Sequence, residues 1–144
     1  MNLDEILAPQ RSLRSRLDDF RQALERRDRA AYELALRDFE GALRVYTQAE
    51  ERVLLPALAR ADLPGRDPRR ELKLEYVQVR ELTRYVLDLV SKNGPLRDIL
   101  GMVENLERRW SAHENEMERT YYPAALPVLT DAERRALADA APPP

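Results

Sequence analysis

The chain has 144 residues, 24 of them basic and 26 acidic, for a formal net charge of −2, with no cysteine and one histidine. That length predicts one domain with a real apolar core; the lack of cysteine excludes disulfides, thiol nucleophiles and thiolate metal sites; and the interleaved charges argue against nucleic acid as an obligatory partner. No stretch has the apolar length of a membrane span, and MNLDEILAPQ lacks the basic and apolar regions of a signal peptide, so a cytoplasmic protein with no membrane partner is expected.

Few glycines and abundant Leu, Ala, Arg and Glu predict helix nearly throughout. A first helix is expected from about Leu3 to Arg27, with a seam of three- and four-residue steps at Leu3, Ile6, Gln10, Leu13, Leu17, Phe20 and Leu24. A second, from about Arg29 to Arg60, steps through Tyr32, Leu36, Phe39, Leu43, Tyr46, Glu50, Val53 and Ala57. Asp67-Pro68 supplies an N-cap and a first-turn proline for a third helix, whose seam is Leu72, Tyr76, Val79, Thr83, Val86 and Val90. Asn93-Gly94-Pro95 separates it from a fourth, with Ile99, Val103, Leu106, Trp110, His113, Met117, Thr120 and Ala124 on its seam. Thr130-Asp-Ala-Glu133 reads as a capping box for a short fifth helix, and the final APPP as a frayed tail.

Four long amphipathic helices with short connections imply an all-α fold, an antiparallel up-and-down four-helix bundle over residues 1–129, followed by a short C-terminal helix and a disordered Pro-rich tail over 130–144. Each seam is interrupted near its middle by polar side chains: Gln10, Tyr46 with Glu50, Tyr76, and His113. Gln10 lies 18 residues before Asp28 and Tyr46 18 after it; Tyr76 lies 17 before Asn93 and His113 20 after it. At about 1.5 Å per residue these positions agree to within about one turn, so the interruptions should meet in a single layer.

The chain also repeats itself. Tyr46, Glu51, Pro56 and Ala57 recur as His113, Glu118, Pro123 and Ala124 at an offset of 67, and Gln10, Leu13 and Arg14 recur as Tyr76, Val79 and Arg80 at an offset of 66. The doubled pattern, YTQAEERVLLP and HENEMERTYYP, resembles the hemerythrin-like (HHE cation-binding) domains, four-helix bundles that hold non-haem iron through inward His and carboxylate side chains. The resemblance covers residues 3 to 127. It implies that the second-helix His falls on Tyr46 with its Glu partner kept as Glu50, that the fourth-helix His is kept as His113, and that Glu118 is the nearest match to the fourth-helix carboxylate. The His expected on helices 1 and 3 fall on Gln10 and Tyr76, and Leu72 and Arg80 provide no second one. One His where diiron members use five argues against oxygen carriage by a standard diiron centre.

Three readings of the layer stay open. Tyr46, Glu50, Tyr76 and His113, completed by Glu118 or Gln10, form a hard, mostly oxygen donor set suited to mononuclear ferric iron, which would respond to oxygen, peroxide or nitric oxide. The same groups can satisfy one another with no ion, leaving the bundle as a protein-interaction module. Haem or an organic molecule between the helices is the third reading. Trp110 and Tyr121-Tyr122 read as core and rim. Enzyme signatures are otherwise missing, with no phosphate loop and no nucleophile placed beside the single His.

Overall fold

The structure, a computed structural model, describes residues 2–141. Its last three residues, on which most of the expected frayed tail falls, lie outside the described residues. Four rods make up the bundle. The first is α1 (Leu3–Glu25); the second is α2 (Arg29–Ala49), a π-helical turn (Glu50–Leu54) and α3 (Leu55–Arg60); the third is α4 (Pro68–Ser91). The fourth is α5 (Leu96–Glu116), a second π-helical turn (Met117–Tyr121) and α6 (Tyr122–Ala125), and a short α7 (Asp131–Ala138) follows. Each rod packs on two neighbours: α1 lies against α2 and α5, and α4 against α5 and α2. Among the described residues no helix is long and apolar enough to cross a membrane.

Local chemistry sets the ends of the rods. Asn2, Asp28 and Asp67 each accept a backbone N–H three residues on, and Pro68 occupies the first turn of α4, where its missing donor costs nothing. α1 and α4 close alike. Arg27 and Asn93 are left-handed, at φ 58° and 55°, and the next N–H, from Asp28 or Gly94, returns to the carbonyl of Ala23 or Leu89. The left-handed Arg27 is why α1 stops at Glu25 instead of Arg27.

Both π turns have one cause. Pro56 and Pro123 lack an N–H, and their rings crowd the carbonyl four residues earlier. The chain widens ahead of each, so that Leu55 N–H donates to Glu50 and Tyr122 N–H to Met117, five residues back. The extra residue advances the seam by one position. Leu54, Tyr121 and Ala125 are buried, while Val53, Thr120 and Ala124, placed inward by the unbroken period, are partly exposed.

Two apolar clusters fill the bundle. One, centred on Phe20, Leu36, Phe39, Val86 and Leu106, includes Tyr46 and Trp110; the other, centred on Ile6, Leu54, Leu72 and Met117, includes Tyr76, Tyr121 and Tyr122. α7 packs on α1 and the first π turn and joins the second cluster through Leu137, whose burial is worth about 2 kcal/mol. The polar interruptions of the four seams lie where the two clusters meet.

Candidate functional site

Gln10 on α1, Tyr46 on α2, Glu50 at the head of the first π turn, Tyr76 on α4 and His113 on α5 are all 2% exposed or less. They form one connected layer. The Tyr46 hydroxyl lies 3.0 Å from His113 Nε2 and 3.4 Å from Gln10 Oε1. The Tyr76 hydroxyl donates to Glu50 Oε1 at 2.8 Å, and the same oxygen is 3.7 Å from His113 Nε2.

Two further residues complete the layer. Tyr122 donates its hydroxyl to Glu50 Oε2, so both oxygens of the buried carboxyl are held by phenols. Glu75, at 30% side-chain exposure, lies 3.0 Å from His113 Nδ1. A carboxylate only accepts, so Nδ1 carries a ring proton toward Glu75, while Nε2 faces the Tyr46 hydroxyl. Trp110 lies against this ring, with centroids 5.1 Å apart.

Burial dominates the electrostatics. It raises the Glu50 carboxyl above its ordinary value, against the opposing pull of His113 and of the hydroxyl donors. It also pushes the phenols of Tyr46, Tyr76 and Tyr122 well above 10.0, with Glu50 as the next cause. The three phenols are therefore held in the protonated form, in which they can donate.

A family model described as the hemerythrin HHE cation binding domain matches residues 1–136. The chain belongs to that family. Neither the curated proteins nor the solved structures give a match.

Of the residues that the hemerythrin resemblance assigns to a cation, five converge and one does not. Glu118 is on the surface, 53% exposed and 3.9 Å from Arg11. The second π turn begins at Met117 and advances the phase only downstream of it, so Glu118 stays about 100° away from the inward direction. Met117, fully buried four residues after His113, occupies the position that Glu50 holds four after Tyr46. The repeat thus keeps its carboxylate in one half and replaces it with a thioether in the other.

Tyr122 and Glu75 escaped the sequence reading for different reasons. Tyr122 lies beyond a π turn, where counting by 3.6 loses phase, and Pro123 was the available warning. Glu75 sits beside the seam, and the clue was that a buried imidazole needs a partner for its second nitrogen.

The donor chemistry fits a hemerythrin cation poorly. Among the described residues no three His, Asp or Glu side chains come together to hold a metal ion. Both Glu50 oxygens already accept hydroxyls, and a phenolate ligand would have to form against the burial that keeps each phenol protonated. Among the described residues the layer lacks the cluster of His and carboxylate side chains that the family resemblance implies.

Proposed function

We propose that this hemerythrin-family bundle has exchanged its cation for a closed hydrogen-bonded layer, and that it works as a protein-interaction module whose contacts lie on its outer faces. One observation carries the reading: both oxygens of the Glu50 carboxyl, the one carboxyl buried among the described residues, accept phenol hydroxyls, Tyr76 on one and Tyr122 on the other. A buried carboxyl so satisfied needs no cation, and a layer of mutually bonded polar groups fixes the register of four rods. A cytoplasmic location is part of the proposal and is tested by cell fractionation.

The competing reading keeps mononuclear iron in the layer, held by Glu50, His113 and a tyrosine and answering to oxygen, peroxide or nitric oxide. It is supported by the family's cation chemistry and by the convergence of Glu50 Oε1, His113 Nε2 and the Tyr46 hydroxyl. Metal analysis of protein purified without chelator or nickel, with melting curves and visible spectra with and without ferrous and ferric iron, separates the two. The proposed reading expects metal well below one ion per chain, an unchanged Tm and no phenolate-to-iron band. Stoichiometric iron, or a Tm raised by iron in the wild type and not in Glu50→Gln, overturns it.

A further inference from the structure

The sequence repeat makes the two non-sequential seams of the bundle equivalent. The offset of 66 takes α1 onto α4, and the offset of 67 takes α2 onto α5, so the seam between α1 and α5 corresponds to the one between α4 and α2. They are sealed very differently.

Across α1 and α5, Arg14 bonds Glu114 and Ser111 at 2.6 Å each, Arg21 pairs with Glu107 and Glu104, and Arg11 approaches Glu118 at 3.9 Å. Carried to the other seam, Arg11 becomes Val77 and Arg21 becomes Leu87, while Ser111 and Glu114 become Arg44 and Thr47. The partly exposed polar contacts on this side are fewer: Arg80 of α4 pairs with Glu51 of the first π turn at 3.5 Å, and Arg29 of α2 donates to the Val90 carbonyl of α4 at 3.0 Å. A groove of about 470 Å³ lies along this seam, with Val77, Leu87 and Leu43 among its walls. Among the described residues the exposed large apolar side chains, Leu34, Val45, Leu74, Val77 and Tyr85, lie on α2 and α4, and Val77 is the one of them that lines this groove. Val77, which lines the groove, is 41% exposed, too much to serve this chain's own core.

We infer that the α2/α4 face is an isologous docking surface for a second copy of this chain. The charges of the groove select that occupant. Arg44, Arg80 and Arg84 alternate with Glu40 and Glu81 along the two helices, so a partner of either single sign would meet like charge. A copy turned about a two-fold axis that passes between Glu81 and Arg84 sets the acid of each chain against the base of the other. Glu81 and Arg84, one turn apart on α4, have no hydrogen bond or ion pair among the described residues and stand ready to exchange partners across such an axis.

This inference rests on the reading of the bundle as an interaction module but not on the chemistry of its central layer. The test is light scattering and sedimentation of the full chain at up to about 100 μM, enough to populate a dimer of micromolar dissociation constant. A mass twice the 16.7 kDa of one chain is expected. Val77→Glu and Arg84→Glu should each weaken the dimer by at least about tenfold, with helix content unchanged because both positions face solvent. A monomer throughout that range, or a dimer whose dissociation constant neither substitution changes, overturns the proposal. Melting that is insensitive to iron would be unaffected by that result, so the two readings fail separately.

Discussion

Glu50 stands where the family resemblance calls for a carboxylate, and both of its oxygens accept phenol hydroxyls. Its carboxyl is held above 4.5 in the folded chain, first by burial. On unfolding it returns toward 4.5, so between the two values the folded state binds a proton that the unfolded state has released. Stability from this group is present in full below about 4.5 and falls as pH rises through the folded value. Glutamine has the same shape and no titration, so the stability difference between Glu50→Gln and the wild type should move in favour of glutamine from about pH 4 to pH 7. Urea midpoints across that range measure it, and a difference independent of pH would show that Glu50 is not the strained carboxyl described. The placement of Gln10, Tyr46, Glu50, Tyr76 and His113 in one layer was legible, because a polar residue on an otherwise apolar seam is a strong signal. Tyr122 was not, because its role depends on a backbone widening that no side-chain period reports.

At the scale of elements, the helices and their caps follow from short-range chemistry, and the sequence marks most of them. What it concealed was phase. A helix that passes through a π turn stays a helix while its inward face advances by one residue, which moved Val53, Thr120 and Ala124 outward and Leu54, Tyr121 and Ala125 inward. α7 shows the opposite case, with its capping box present in full: Thr130 accepts from Glu133 N–H, and Glu133 accepts from Thr130 N–H. The same carboxylate pairs with Arg60 on α3, and the Thr130 N–H and Arg60 together hold it below its ordinary value. Thr130→Ala should therefore cost about 1 kcal/mol, or about 3 °C in Tm, while Thr130→Ser should cost much less. Thermal melting followed by ellipticity checks it. Equal losses in both variants would mean that the hydroxyl does not cap α7.

For the whole molecule, the polar layer is the junction between two apolar clusters, and its phenols tie the bundle's integrity to alkaline pH. Tyr46, Tyr76 and Tyr122 are held well above 10.0 by burial and then by Glu50. Unfolding exposes them, so above about pH 10 the unfolded chain sheds protons that the folded chain keeps, and stability must fall as pH rises. Each phenol contributes a slope of about 1.4 kcal/mol per pH unit, and three acting together approach about 4, enough to exhaust a typical margin of stability within about two to three units. Phenolate absorbance and far-ultraviolet ellipticity followed together on raising the pH should therefore show these three rings ionising only as the helices are lost. Tyr122→Phe should reduce the slope by about one third if the three act independently. It should also leave Glu50 Oε2 without its donor, so the variant begins from a lower stability at neutral pH and loses it less steeply. Ionisation of the buried rings ahead of any loss of helix would mean that the layer opens to solvent within a folded bundle, and the closed network would no longer describe it.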